Sequence, residues 1–234
     1  MIQRRTLVSG TVLGVALLTA LTLAGVLNAR TTPKPEAPPP AYDANTRTAA
    51  QPELEQALLR PADLPKPYVA ASKATVRRVL PATEKCAGLL DPTSLVREAS
   101  ARVLPHPDAT DQASSELDGP TQLIQLLTTF AGNGAEATLR ELRAVGGQCR
   151  DFNTVLDDGT PVRVTSTIMR DDGNTYSVKL MLTGGGKTTA GYLTLGRVGQ
   201  VLSVLRHLGP VEAVAILDPI KLVDLTLSRL TQPR

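Results

Sequence analysis

The chain of 234 residues has no Trp, two Phe, four Tyr, two His and two Cys, and each scarcity removes a class of function. Platforms for single-stranded nucleic acid need aromatic faces on a basic surface. Neither is present: Arg4, Arg5 and Arg30 precede every other charge and account for the whole excess of 25 basic over 22 acidic residues. Residues 31–234 are therefore neutral, and nucleic acid is discounted as a partner.

Metal and catalytic motifs are equally thin. His106 lies between Pro105 and Pro107 and His207 near the end of an apolar segment, and neither Cys has a Cys or His neighbour at C-x-x-C or H-x₃-H spacing. No metal and no cofactor is expected. Either histidine could act as a base beside a Ser, but the domain holds no G-x-S-x-G elbow and no S-x-x-K motif. No catalytic residue is assigned, and the chain reads as a non-enzyme, with a secreted hydrolase built from unrecognised parts as an alternative.

Two loops imitate ligand sites. Gly186-Lys187-Thr188 matches the end of a phosphate loop, but Met181 stands where that motif needs its first Gly, and a strand rather than a helix is predicted to follow. Asp157-Asp158-Gly159 and Asp171-Asp172-Gly173-Asn174 cluster carboxylates without the D-x-D-x-D-G spacing and distal Glu of a calcium loop. All three read as hairpin turns.

What is present is an address. Leu7 to Leu27 is uncharged after Arg4 and Arg5, and about 21 helical residues span a bilayer core of roughly 30 Å. Residues 1–29 are read as a signal anchor or a signal peptide. The run is long for a signal peptide and its cleavage site is poor, since Leu27 precedes Ala29; Val26 stands where a lipoprotein would need Cys. Arg4 and Arg5 favour an inside N-terminus, although Arg30 and Lys34 weaken the asymmetry. The cell membrane is thus an expected partner, with the C-terminal part single-pass and extracytoplasmic, or secreted after cleavage.

Residues 30–52 carry Pro33, Pro35, Pro38, Pro39, Pro40 and Pro52, a composition that stays extended and forms a stalk. Residues 53–234 suffice for one domain with a single core. Cys86 and Cys149 both fall in this exported part, where an even pair reads as a disulfide.

Periodicity predicts a short helix over Glu53–Arg60 with Leu54, Leu58 and Leu59 inward, and an extended Tyr68–Leu80. A second short helix over Cys86–Val96, broken at Asp91-Pro92, is followed by a strand over Glu98–Leu104. Gln112–Leu117 and Thr121–Phe130 read as strands joined by Asp118-Gly119-Pro120. Ala135, Leu139, Leu142 and Val145 mark a helix that ends at Gly146-Gly147, with Arg140 and Arg143 outward. Strands follow over Phe152–Leu156, Val162–Met169, Tyr176–Leu182, Ala190–Leu195 and Val198–Leu205, the last pair turning at Gly196-Arg197. The final helix, Glu212–Leu230, places Ala215, Leu222, Leu225 and Leu230 inward and kinks at Pro219. The fold class is α+β: an antiparallel meander packed against helices, preceded by a transmembrane or signal helix.

Several segments occur together in a familiar order: L-L-R-P-A-D-L-P at 58–65, Cys86, A-S-S-E-L-D-G-P at 113–120, A-E-A-T-L-R-E-L-R-A-V-G-G-Q-C at 135–149 and L-G-R-V-G-Q-V-L-S-V-L at 195–205. This order resembles the actinobacterial sensor-domain proteins of the PknH-like extracellular type. The resemblance implies an antiparallel sheet with helices, disulfide bonding, and binding of an unidentified ligand in a cleft; Cys149 and Arg197 match its pattern. The chain departs in having one cysteine pair where the kinase domain has two, and about five residues ahead of the apolar run, so a sensed signal would need a partner to relay it. The expected function is an extracytoplasmic domain that binds a small ligand or an envelope protein, with a structural component of the cell envelope as the alternative.

Overall fold

Glycine-bearing turns join the strands of one antiparallel sheet. The structure, a computed structural model, describes residues 48–65, 67–71, 86–104, 111–156 and 159–232. The apolar span 7–27, most of the stalk, the larger part of the extended Tyr68–Leu80 segment, His106, Asp157 and Asp158 lie outside the described residues. No described helix is long and apolar enough to cross a membrane.

Eight strands run β1 (Val69–Ala70), β2 (Asp111–Asp118), β3 (Gln122–Thr129), β4 (Asp151–Val155), β5 (Pro161–Asp171), β6 (Thr175–Gly184), β7 (Lys187–Val198) and β8 (Val201–Pro210). Their spatial order is β1-β2-β3-β8-β7-β6-β5-β4, every pair antiparallel. Helix α3 (Gly134–Gln148) carries the chain from β3 to β4 at the far edge, and the meander then returns until β8 pairs with β3. The tight turns rest on positive φ, at Gly173, at Gly185 and Gly186, and at Gly199, which only glycine adopts without steric cost.

The first face is covered by α3 and α2 (Pro92–Val103). Leu126, Val164, Val178, Leu180, Leu195 and Val204 project into one core with Leu95, Ala99, Leu139 and Leu142 from these helices. The second face receives α1 (Gln51–Ala57), the short α4 (Val211–Val214) and α5 (Pro219–Thr231). There Leu123, Leu205, Leu217 and Val223 form one cluster, and Leu54, Leu127, Val201 and Leu230 another.

Four local expectations are corrected. Asp91-Pro92 starts a helix instead of breaking one: the Asp91 carboxylate accepts from Thr93 N (3.1 Å) and Ser94 N (3.3 Å), and Pro92 needs no N–H in the first turn. Helix α2 therefore continues through Val103, and Glu98–Leu104 is not a strand. Helix α3 passes through Gly146-Gly147 to Gln148; Gly146 is a packing position rather than a stop, since a Cβ there would meet the Tyr176 ring (Cε1 at 2.9 Å). The β7–β8 turn falls at Gly199-Gln200, since Gly196 is a strand residue over which Leu227 packs, its Cδ1 2.9 Å from a would-be Cβ. Finally, Asp218 caps α5 by accepting from Ile220 N (3.0 Å) and Lys221 N (3.3 Å), so Pro219 opens a separate helix and Ala215 and Leu225 are exposed.

Candidate functional site

On the second face, α1, α4 and α5 lie over β2, β3, β8 and β7, and among the described residues no helix covers β4, β5 and β6. Cross-strand register identifies what this uncovered face presents: Asp151, Asn153 and Val155 of β4, Arg163, Thr165 and Thr167 of β5, Lys179 and Met181 of β6. All the β4 and β5 members are exposed, and Lys179 and Met181 are half-buried. The opposite sides of the same strands bury Phe152, Val162, Val164, Val178 and Leu180, which explains the alternation Val162, Val164 inward and Arg163, Thr165 outward.

The face is polar with little net charge. Arg163 engages Asp151 through a two-pronged pair, its Nε 2.9 Å from Oδ1 and its Nη2 on Oδ2. The guanidinium, as hydrogen-bond donor, lowers the Asp151 pKa. At the β5–β6 turn Arg170 bridges to Asp172 (2.5 Å), whose other oxygen accepts from Thr175 N (2.9 Å). Ser177 and Thr194 share a hydrogen bond of 2.8 Å where the open face meets the part under α5.

Its inner border is a buried polar relay. Tyr192, half-buried on β7, stacks over His207 at 6.4 Å between ring centroids and 24° between planes. His207 Nε2 is 2.7 Å from Thr121 Oγ1, which is 2.5 Å from the Tyr68 hydroxyl. The imidazole is fully buried, and its Nδ1 has no partner among the described residues. Burial disfavours the imidazolium and lowers the His207 pKa to about 4. The imidazole bonds the Thr121 hydroxyl, and among the described residues no Ser or carboxylate is hydrogen-bonded to it.

The disulfide joins Cys86 to Cys149 with a Cα–Cα distance of 5.3 Å. It ties the end of α3 to the 3₁₀ turn Ala87–Leu90 that leads into α2. Gly185-Gly186 forms the two-residue β6–β7 turn with Gly184 paired to Lys187, and the Asp171–Asn174 group turns β5 into β6; both are hairpins. Arg140 is exposed as expected. Arg143 is not simply solvated: it pairs with Asp171 (Nε to Oδ1 3.1 Å) and donates to Thr175 O (3.3 Å). Arg197 donates to Asn174 Oδ1 (3.0 Å) and Gly199 O (3.2 Å), bracing two turns against each other. Among the described residues no group of three His, Cys, Asp or Glu could hold a metal.

The uncovered face and the Tyr68–Thr121–His207 relay were missed from sequence. The Arg163-x-Thr165-x-Thr167 alternation was visible, but whether a helix covers that side depends on where α5 docks. The relay joins residues far apart in the chain.

No protein-family model matches the chain, and no curated protein matches it by sequence. Among solved structures, the fold is similar to that of the extracellular domain of PknH from Mycobacterium tuberculosis, with a TM-score of 0.56 and 12% sequence identity, over 80% of this chain and 99% of that one. The chain thus shares the fold of the extracellular domain of PknH, and is itself an α+β domain with an eight-stranded antiparallel sheet, helices on both faces and the Cys86–Cys149 disulfide.

Proposed function

We propose that residues 53–234 form a non-catalytic, extracytoplasmic sensor-like domain that binds a ligand or an envelope partner on the uncovered face of β4–β6, held at the cell membrane by residues 1–29 through the 30–52 stalk. The observation that carries the reading is the asymmetry of the sheet. On one side β5 and β6 bury Val162, Val164, Val178 and Leu180 in the core with α2 and α3, whereas on the other β4, β5 and β6 display Thr, Asn, Arg and Lys side chains. A polar face of this kind recognises a polar partner through hydrogen bonds set by a rigid scaffold. The fold shared with the extracellular domain of PknH and a disulfide suited to an oxidising compartment support the same reading.

The test is native mass spectrometry of the full chain purified from its own membrane, beside a Thr165→Glu/Thr167→Glu/Lys179→Glu variant. A bound molecule or co-purifying envelope protein that the variant loses, with the variant's melting temperature preserved, is the expected outcome. Equal occupancy in both proteins moves the binding function off this face. Absence of any bound species from the wild type ends the proposal. The same spectrum reads whether residues 1–29 are retained.

A further inference from the structure

The two edges of the sheet are finished differently. At one edge Ala71 N donates to Glu116 O (2.9 Å), so the even-numbered residues of β2 turn their backbone groups outward. One of them, Gln112, donates its N–H to Gln51 Oε1 of α1 (3.3 Å), and β1 and α1 both occupy that edge. At the other edge β4 pairs with β5 alone. Ser166 N donates to Arg150 O (2.8 Å) and Leu156 N to Thr160 O (3.0 Å). Backbone groups alternate between the two sides of an antiparallel strand. In the register Asp151↔Thr165 to Val155↔Pro161, Phe152 and Thr154 therefore face β5, and Asp151, Asn153 and Val155 turn N–H and C=O outward. Among the described residues no backbone hydrogen bond reaches these outward groups.

Monomeric sheets keep a free edge from pairing with Pro, Lys, unpaired charge or a bulge. The β4 sequence Asp-Phe-Asn-Thr-Val has no Pro, no Lys and no bulge. Its one charge, Asp151, is already held on both oxygens by Arg163. The bulge on this side lies in β5, between Ile168 and Arg170, past the end of β4. Three exposed apolar side chains fall on these two strands: Val155 at 44%, Ile168 at 42% and Met169 at 53%. The residues with outward backbone groups are also those whose side chains stand on the uncovered face, so a strand added at this edge extends that face.

We propose that β4 pairs with β4 of a second copy of this chain, antiparallel about a two-fold axis at Asn153, joining two sheets into one. The occupant follows from self-complementarity. Centring on Asn153 pairs all three outward residues: Asp151 with Val155 of the second copy, Asn153 with its own counterpart, and Val155 with Asp151. Each pair exchanges two N–H···O bonds. Moving the register by two residues leaves Asp151 or Val155 without a partner. No like charges oppose each other, because the two Asp151 residues lie roughly 14 Å apart along the paired strands. An Asn side chain is both donor and acceptor and so can bond its symmetry mate. The contact is small: a five-residue edge buries well under the roughly 1,600 Å² of a standard interface, so association is reversible and depends on concentration. The pairing does not require that the uncovered face bind a ligand.

Disulfide trapping in the full chain tests both the edge and the register. Hydrogen-bonded antiparallel partners have Cα atoms about 5.5 Å apart, within disulfide range, whereas two copies of residue 155 are roughly 14 Å apart. Under mild oxidation Asn153→Cys is expected to give a reducible dimer about tenfold above that of Val155→Cys. Asp151→Cys mixed with Val155→Cys should cross-link to each other rather than to themselves. Adding Asn153→Pro to both members of that mixture removes one outward N–H, which an edge strand tolerates, and is expected to abolish the mixed cross-link. Equal trapping of Asn153→Cys and Val155→Cys overturns the proposal, as does a mixed cross-link that survives Asn153→Pro. Trapping of Asn153→Cys on a different protein instead of its own copy also overturns it. Should the Asn153→Pro variants not fold, the single Cys variants, at positions that are all exposed, decide.

Discussion

The guanidinium of Arg206, buried in β8, donates to the carbonyl oxygen of Leu90, the last residue of the 3₁₀ turn before α2. A second nitrogen lies 2.6 Å from Gln122 Oε1 on β3, so one side chain at 2% exposure fastens the Cys86–Leu90 stretch to two central strands. Replacing Arg206 with Ala strands a buried carbonyl and a half-buried amide oxygen and opens a cavity; the expected loss is about 3 kcal/mol. Urea unfolding measures it. Arg206→Lys recovers little, because an ammonium cannot reproduce the planar fork.

The disulfide secures the same stretch covalently. Cys86 and Cys149 are 63 residues apart, and closing a loop of that length restricts the unfolded chain by about 4 kcal/mol in the chain-entropy model. A Cys86→Ser/Cys149→Ser variant is expected to melt well below the oxidised protein. Reductant should lower the wild-type melting temperature toward the variant's and leave the variant's unchanged.

At Gly146 helix α3 packs against Tyr176 of β6. A Cβ there would contact the Tyr176 ring, with Cζ at 3.0 Å, and Tyr176 is itself fully buried. Gly146→Ala should therefore cost about 1–3 kcal/mol by overpacking, against the usual gain from placing Ala in a helix. Gly147→Ala, with open space around its Cβ, is the control and should be neutral or stabilising. Thermal melts of the pair separate the two effects.

Gln125 holds α1 and α5 to the second face. Its Oε1 accepts from Leu59 N (2.8 Å) and its Nε2 donates to Thr226 Oγ1 (2.7 Å), both buried. Gln125→Leu keeps the volume and removes both bonds, leaving the Leu59 N–H unsatisfied. The expected cost is about 2–3 kcal/mol, larger than for Thr226→Val, which leaves the Leu59 bond intact. Chemical denaturation of both variants gives the comparison.

The strand meander was legible because its signals are local. Val162-x-Val164 and Val178-x-Leu180 alternate with polar residues, and Gly173, Gly185-Gly186 and Gly199 supply positive φ between them. The misread elements share a cause. Glu98–Leu104 has strand-like small and β-branched residues, yet the Asp91 cap and the burial of Leu95, Val96 and Ala99 on one side make it helical. Gly146-Gly147 and Gly196 look like stops, but each glycine that packs closely marks a neighbouring element crossing above it.

By itself the sequence determined the antiparallel sheet, its helices on the apolar sides, the pairing of the only two cysteines and the absence of recognisable catalytic spacing. These follow from periodicity, turn chemistry and composition, which act over a few residues or over the chain as a whole. Only the tertiary structure decided that β8 closes on β3, that α5 stops short of β6, and that Tyr68, Thr121 and His207 share one buried relay. Each of those is a meeting of residues distant in sequence, set by which apolar faces bury each other best, and no local pattern encodes the partner of such a contact.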